Sequence, residues 1–373
     1  MTTTASADAG ALAPLDIAPR VDRLRSALDD AGCDALIVSN LTNVRYLTGF
    51  TGSAGFLIVT ADDALLITDG RYETQVVEQV ASSGAPVRVD ITTNEQREVA
   101  VRAIGSRARV GLESHSVTWA QQRSYQEWFD QSQLIATDLL VEVLRATKDG
   151  GELARIEAAA AIADASLGSI RRRLLDGPTE AEFGFELDTE MRRRGASGSA
   201  FETIIASGPN SAKAHHRPSR RQVRQGDFVI IDFGAVVDGY RSDMTRTVIV
   251  GEPTEQQQRV YDAVAGAQAA GVAAVIDGTL AKEVDRACRD YITERGWGDR
   301  FVHGTGHGVG LDIHEAPWVN TRTTATLLAG HVVTVEPGVY LPDFGGVRVE
   351  DTVFVTPSGC RPLTHTAKDP VVA

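Results

Sequence analysis

The sequence predicts an α/β (α+β) protein of two domains, the second built from two similar halves. Three observations lead to this prediction. The chain has 373 residues, more than one hydrophobic core usually serves. Over its first third, short apolar runs alternate with segments of helical spacing. In the remainder, an order of two helices followed by strands occurs twice, which indicates layered helices and sheets.

The first domain is predicted over residues 19–147 as alternating helices and strands. A helix is expected at 21–31, where apolar residues recur at helical spacing. The strand candidates that follow are Ala35–Val38, 55–59, Ala64–Thr68, 87–91, 109–112 and 134–136. The domain boundary is placed near 147–151, where glycines precede a long Ala-rich segment. Residues 1–18, rich in Ala, Thr and Asp, are predicted to be a disordered tail.

The second domain is predicted over residues 148–373. Its first half is expected to contain helices 152–175 and 179–194 and strands 228–237 and 240–250. Its second half repeats this order with helices 255–276 and 282–295 and strands 332–336 and 347–355. Asp176-Gly177 and Asp277-Gly278 lie at matching places between the helices of each half. The recurrence indicates an internal duplication.

Charge and cysteine content restrict the partners and the compartment. The formal net charge is -13, from 37 basic and 50 acidic residues. Such an excess argues against a nucleic-acid partner and against docking on an anionic membrane. No secretory signal or membrane-spanning apolar run is recognised, so a cytoplasmic location is expected. The three cysteines are widely spaced, as expected of incidental thiols in a reducing compartment.

Two aspartates are predicted to share one face of a hairpin. Asp238-Gly239 lies between two apolar runs, which is a strong signal for a two-residue turn. Counting the pairing back from this turn sets Asp232 opposite Thr245. Asp243 then projects from the same face, since residues two apart share a face. Two such carboxylates repel each other unless a cation lies between them.

Glu336 and Glu350 are predicted to meet across a second hairpin. The midpoint between them is Asp343, within a segment rich in turn-forming residues. A hairpin centred there places the two glutamates opposite one another. Arg348, two residues before Glu350, faces the same way.

A glycine-rich segment at residues 301–314 supplies the imidazoles. His303 and His307 have helical spacing, but the interleaved glycines disfavour a helix, so a strand or loop carrying both together with His314 is predicted. Taken singly, each carboxylate is more often a turn residue, a cap or a surface charge, and each histidine a hydrogen-bonded structural residue. Four carboxylates and a glycine-flanked histidine together indicate a metal site.

The donor set indicates the kind of metal. Oxygen ligands with a single imidazole suit two divalent ions, Mn²⁺ foremost, with Co²⁺ or Zn²⁺ as alternatives, and argue against a structural thiolate zinc site. Two such ions activate water as a nucleophile and polarise a scissile carbonyl. The sequence therefore predicts a hydrolytic site.

The same residues resemble those of the pita-bread metallopeptidases, the group that contains prolidase, aminopeptidase P and methionine aminopeptidase. The matching motifs lie at residues 231–234, 242–247, 303–310, 334–340 and 347–351. Residues 43–52 and 68–72 resemble the creatinase-like N-terminal domain of the Xaa-Pro branch. The resemblance implies a C-terminal pita-bread domain of two pseudo-symmetric halves. It also implies a homodimer in which the N-terminal domain helps to close the active site.

The resemblance assigns the metal ligands. They are Asp232, Asp243, His307, Glu336 and Glu350, with Asp243 and Glu350 bridging the two ions. Glu336 is also implied to be the general base or proton shuttle.

The resemblance assigns the remaining site residues as well. His303 and His314 match histidines around the metals and the substrate, and Arg348 matches an active-site arginine. His215 matches the histidine placed near the scissile amide. The adjacent His216 leaves open which of the two reaches the substrate, and His215 is favoured.

The implied activity is hydrolysis of Xaa-Pro bonds at peptide N-termini by metal-activated hydroxide, as in aminopeptidase P. A proline nitrogen has no N–H and its ring fixes the local backbone, so general peptidases handle such bonds poorly. Histidines and Glu336 can pass a proton to that nitrogen. The alternatives are a Xaa-Pro dipeptidase (prolidase), a non-catalytic binding member of the fold, and creatinase-type hydrolysis of a small guanidino compound. The intact ligand set disfavours the last two.

Overall fold

The computed structural model describes residues 12–372, which divide into two compact units. One unit is Pro14–Arg145, and the other begins at Ala146 and includes Leu12 and Ala13. Residues 1–11 of the predicted tail lie outside the described residues, and residues 12–17 form neither helix nor strand. No described helix is long and apolar enough to cross a membrane.

The Pro14–Arg145 unit alternates helices and strands, as predicted. Its helices are α1 (Arg20–Leu28), α2 (Leu41–Thr48), α3 (Glu73–Ser83), α4 (Gln96–Ile104), α5 (Trp119–Trp128) and α6 (Leu140–Ala146). Its strands are β1 (Ala35–Val38), β2 (Phe56–Thr60), β3 (Ala64–Thr68), β4 (Arg88–Ile91), β5 (Arg109–Glu113) and β6 (Gln133–Thr137). They form one mixed sheet in the order β4-β3-β2-β1-β5-β6. Apolar side chains of the central strands pack against α4 and α5.

The first half of the other unit begins with two helices. They are α7 (Gly150–Ile170), which continues as a 3-10 helix to Asp176, and α8 (Glu180–Arg193). The strands are β7 (Gly198–Ser199), β8 (Ile204–Ser207), β9 (Phe228–Phe233), β10 (Ala235–Val237), β11 (Tyr240–Arg241) and β12 (Met244–Val250). Gly177 and Gly195 follow the helices with φ of 67° and 104°, values that favour glycine.

The second half repeats the order. Its helices are α9 (Glu255–Ala274) and α10 (Ala281–Glu294). Its strands are β13 (Gly306–Gly308), β14 (Glu315–Val319), β15 (Val332–Val335), β16 (Gly338–Leu341), β17 (Gly345–Arg348), β18 (Asp351–Thr356), β19 (Gly359–Pro362) and β20 (Val371–Val372). The two larger sheets run β20-β12-β9-β8 and β14-β13-β15-β18-β19, and each packs on its own pair of helices. The predicted pair of helix-helix-sheet halves is confirmed.

Three predicted strands are interrupted, and there the prediction of continuous strands was wrong. Residues 228–237 break at Gly234, residues 240–250 break at Ser242-Asp243, and residues 347–355 break at Val349-Glu350. At Gly234 the reason is a close chain crossing, because a Cβ there would lie 1.9 Å from the Ser242 carbonyl oxygen. The interruptions let one strand pair with different partners along its length.

Candidate metal centre and its cleft

The aspartate hairpin forms in the register predicted from the sequence. Asp238 and Gly239 have φ of 42° and 74°, the positive values that a two-residue type I′ turn requires. The register continues into β9 and β12, where Asp232 is paired with Thr245. Asp243 lies at the break just before β12. The hairpin therefore brings both aspartates to one place.

The glutamates lie at a gap in a second, longer hairpin. Strands β16 and β17 form a hairpin centred on Asp343, and β15 and β18 continue in the same register. Between these pairs the strands exchange partners. The Glu336 N–H donates to the Thr305 carbonyl at 2.8 Å, and the Glu350 N–H donates to the Thr245 carbonyl at 3.1 Å. At this gap, the backbone of Glu336 is hydrogen-bonded to the histidine segment, and the backbone of Glu350 is hydrogen-bonded to the aspartate hairpin.

The structure brings all five predicted metal ligands together. Carboxylate oxygens of Asp232, Asp243 and Glu350 lie within 4.8 Å of one another. His307 Nε2 lies 3.6 Å from Asp243 Oδ2 and 3.4 Å from Glu336 Oε1. Four of the five residues are buried, and the Glu336 side chain, at 18% exposed, is more open than that of Asp232, at 13%. Glu336 is thus the ligand most open to a substrate.

Electrostatics at this cluster favour a bound cation. Burial raises the pKa of Asp243 well above its usual value, and the Glu350 charge raises it further. Burial raises the pKa of Glu350 in the same way, followed by the charge of Glu336. Glu350 Oε1 is buried and accepts no hydrogen bond. An orphaned buried oxygen beside other carboxylates, with one imidazole, fits divalent cations as the missing partner.

Among the four carboxylates of the site, Glu336 is the one whose pKa is lowered. Burial opposes its ionisation, but the hydrogen bond with His307 and the charges of His307, His303 and Arg348 outweigh this and lower its pKa to about 2. Burial also lowers the pKa of His307, and Glu336 more than compensates, so the His307 pKa is raised. A carboxylate ionised at neutral pH can accept a proton.

Arg348 is buried under the site, and its guanidinium group forms hydrogen bonds with other groups of the protein. Its guanidinium contacts the Asp232 carboxylate and donates to the Tyr340 hydroxyl at 2.7 Å. It also donates to the Thr245 hydroxyl at 3.1 Å and to the Ala214 carbonyl at 3.1 Å. The side chain is 3% exposed. Arg348 therefore acts on the site through its neighbours.

His303 belongs to the same network. Its Nε2 lies 2.9 Å from the Tyr340 hydroxyl, and its Nδ1 lies 2.7 Å from the Gly304 carbonyl oxygen. Because the Tyr340 hydroxyl accepts from Arg348, it can donate to Nε2, which assigns the N–H of the ring to Nδ1. Both ring nitrogens are then satisfied by the protein.

A cleft of about 860 Å³ opens above the carboxylates. The histidines on its wall are His215, His216, His303, His307 and His314. His215 and His314 are exposed, so their rings are available to a ligand. The ring of His216 instead lies against Glu180, with 2.9 Å between His216 Nε2 and Glu180 Oε2. Trp318 stacks on His314 at 6.3 Å between ring centroids.

Sequence reasoning overlooked residues that support the ligands. The Thr245 hydroxyl donates to Glu350 Oε2 at 2.7 Å while accepting from Arg348, so it orients a ligand. The predicted register had already placed Thr245 opposite Asp232, and this was the available signal. Tyr340 ends the motif at residues 334–340 and Trp318 lies outside the motifs, and no ligand spacing pointed to a role for either.

Comparisons with known proteins show the family and the fold of the chain. Metallopeptidase family M24 matches residues 154–357, and the creatinase/prolidase N-terminal domain matches residues 20–147. The chain is 35% identical to a Xaa-Pro dipeptidase of Pyrococcus furiosus, over 94% of this chain and 99% of that protein. It superposes on a Xaa-Pro dipeptidase of Bacillus anthracis with a TM-score of 0.89 and 38% identity, covering 94% and 98% of the two chains.

A solved X-Pro aminopeptidase of Thermotoga maritima is also similar, with a TM-score of 0.83, 32% identity and coverage of 94% and 99%. The M24 match spans more than half of the chain, and the relatives align over nearly its whole length. The pita-bread fold and the creatinase-like domain predicted from the sequence are confirmed. The chain belongs to metallopeptidase family M24.

Proposed function

We propose that this metallopeptidase hydrolyses Xaa-Pro bonds at the N-termini of peptides. The observation that carries the proposal is the convergence of four carboxylates and His307 at the base of a cleft walled by further histidines. Relatives and solved structures over nearly the whole chain bear the names Xaa-Pro dipeptidase and X-Pro aminopeptidase. The three ligand oxygens within 4.8 Å and the orphaned Glu350 Oε1 support a metal-dependent hydrolysis.

We propose that Asp232, Asp243, His307, Glu336 and Glu350 hold two divalent ions, with Mn²⁺ as the natural metal. The central position of Asp243, close to Asp232, Glu350 and His307, supports its role as a bridging ligand together with Glu350. When bound, two such ions would lower the pKa of water and polarise the scissile carbonyl.

Side chains of the protein would carry out the proton transfers of the reaction. The ionised Glu336 carboxylate, facing the cleft, accepts a proton from the attacking water and passes it to the proline nitrogen. The exposed rings of His215 and His314 donate hydrogen bonds to the substrate backbone as the amide is cleaved. Arg348 holds Asp232 in place, and His303 is held by Tyr340 on the cleft wall. The nitrogen of any scissile amide must take up a proton to leave as an amine, and Glu336 supplies that proton to the proline nitrogen.

The volume of the cleft supports the proposal that peptides longer than a dipeptide are preferred. A cavity of about 860 Å³ lies near the upper end of the range for small-molecule pockets, so it leaves room beyond the proline residue. We expect Ala-Pro-Ala to be cleaved after the first alanine with a kcat/KM about tenfold above that for Ala-Pro, equivalent to about 1.4 kcal/mol. Chromatography of the released amino acids measures this, with Ala-Ala-Ala as the control that should persist. A higher kcat/KM for Ala-Pro than for Ala-Pro-Ala would contradict the aminopeptidase assignment and favour a dipeptidase.

A Xaa-Pro dipeptidase is the second candidate. Arg322 is exposed on the cleft wall, where its guanidinium could pair with the C-terminal carboxylate of a dipeptide. Under this alternative, amidation of that carboxylate in Ala-Pro weakens hydrolysis. Under the leading proposal, the amide is cleaved at least as well as the acid.

The assembly, compartment and domain limits are proposed on separate grounds. The family resemblance supports a homodimer, which light scattering of the purified chain measures. The three free cysteines support the cytoplasm, where thiols stay reduced. Family matches at residues 20–147 and 154–357 support domain limits of 19–147 and 148–373.

A further inference from the structure

One carboxylate outside the metal centre receives an unusual number of hydrogen bonds. Glu180, in the first turn of α8, is completely buried. Its donors are Ser207 N–H and hydroxyl at 2.7 Å each, Asn210 Nδ2 at 3.1 Å, His216 Nε2 at 2.9 Å, and Ser219 N–H and hydroxyl at 3.0 and 2.6 Å. Because the side chain has no exposed surface, it contacts no substrate.

All of these donors lie on residues 207–219, the segment that leaves β8 and passes along the cleft. Ser207 and Ser219 are its two ends, so a single carboxylate ties both ends together. His216 is the residue after His215. Glu180 therefore fixes the segment at its ends and at the position following His215.

Residues of β17, next to the metal centre, hold the same segment as well. Arg348 donates to the carbonyl of Ala214 at 3.1 Å. The Gly346 N–H, in β17, donates to the Ser211 hydroxyl at 2.8 Å. His215 thus lies between a residue held by Arg348 and a residue held by Glu180, while its own ring is exposed.

Glu180 is not required as a helix cap. Thr179 is the N-cap of α8 and forms a capping box with Glu182. Burial alone would raise the pKa of Glu180, but the hydrogen bonds from Ser219, Ser207 and Asn210 lower it to about 2. A buried carboxylate with so many donors remains ionised at neutral pH, and its hydrogen bonds are charge-assisted.

We propose that Glu180 and His216 are a positioning pair that fixes His215 at the substrate, so that His215 reaches the substrate and His216 does not. This inference rests on the proposed peptidase function. The pair acts through His215, and a displacement of about 1 Å in a catalytic group can lower turnover about 100-fold.

The test compares variants of the full chain loaded with Mn²⁺ on Ala-Pro-Ala. His216→Leu removes the donor to Glu180, whereas His216→Gln keeps an N–H near the position of Nε2. We expect kcat to fall about tenfold or more in His216→Leu with KM nearly unchanged, and His216→Gln to restore most of it. Glu180→Gln should lower kcat similarly, and Glu182→Gln, on the same helix turn but exposed, is the matched control.

A double-mutant cycle separates positioning from general destabilisation. In a His215→Ala background, His216→Leu should have almost no further effect on kcat, because its effect passes through His215. An equal loss in both backgrounds, or a His216→Leu variant as active as the wild type, overturns the proposal. These variants decide the question even if Glu180→Gln does not fold.

The two proposals fail in different ways. If the wild-type chain hydrolyses no Xaa-Pro peptide, the proposed function is wrong, and so is the positioning of His215 for that reaction. If the wild-type chain hydrolyses Xaa-Pro peptides but His216→Leu lowers kcat equally in the wild-type and His215→Ala backgrounds, only the positioning pair is contradicted.

Discussion

Replacement of Glu336 by Gln is expected to lower kcat on Xaa-Pro peptides by about 10²- to 10⁴-fold, the usual contribution of a general acid-base group. The amide keeps the size of the side chain and an oxygen toward the metals, but it cannot take up the proton of the attacking water. The ion pair with His307, at 3.4 Å, is lost as well. Steady-state kinetics at saturating peptide measure the effect.

The control for this substitution is Glu252→Gln. Glu252 is exposed in the turn after β12, so the same chemical exchange should leave kcat unchanged. Circular dichroism and a thermal transition close to that of the wild type would show that Glu336→Gln is folded. Turnover in Glu336→Gln within about threefold of the wild type would remove Glu336 from the proton transfer.

Replacement of Asp243 by Asn is expected to abolish binding of at least one ion and to lower activity by about 100-fold or more. Asp243 lies within reach of Asp232, Glu350 and His307, so its loss disturbs the ligands of both proposed ions. Elemental analysis of dialysed protein, together with kcat, measures the outcome. A variant that keeps two ions per chain and wild-type turnover would contradict the assignment.

The same variant should change stability with opposite signs in the two metal states. Without metal, burial and then the Glu350 charge raise the pKa of Asp243, so this carboxyl group destabilises the fold at neutral pH, and a neutral Asn removes that cost. Metal-free Asp243→Asn should therefore melt above the metal-free wild type. Saturating Mn²⁺ should raise the Tm of the wild type by about 5 to 10 °C and that of the variant much less.

The aspartate side of the site was predictable because its determinants are local. Asp238-Gly239 fixes a turn, and the two-residue period of a strand then fixes which side chains share a face. The register that places Asp232 opposite Thr245 needs no information from elsewhere in the chain. The centre of the second hairpin, at Asp343, followed from the same counting.

The gap at Glu336 and Glu350 was not predictable in this way. It depends on the backbone of residues far away in sequence, such as Thr245, whose carbonyl accepts from the Glu350 N–H. The role of Glu180 was equally unpredictable from the sequence, because an acidic residue in the first turn of a helix is expected simply from the helix dipole. Only the folded chain shows that residues 207–219 close around it.

The glycines beside His307 show what a sequence pattern can and cannot specify. Their number disfavours a helix, and β13 is indeed a strand. A Cβ at Gly306 would lie 2.0 Å from the Thr334 carbonyl oxygen, and one at Gly308 would lie 2.2 Å from the Ala316 carbonyl oxygen. The glycines thus let His307 sit between two closely packed strands, a requirement that only the paired strands reveal.

The central claim, metal-dependent hydrolysis of Xaa-Pro bonds at this site, is tested most directly by measuring Ala-Pro-Ala cleavage by the chelator-treated chain during titration with Mn²⁺. We expect no cleavage before metal is added and a rise that saturates at about two ions per chain. Cleavage at the full rate by protein that elemental analysis shows to be free of metal would contradict the claim, as would a chain that binds Mn²⁺ and leaves the peptide intact.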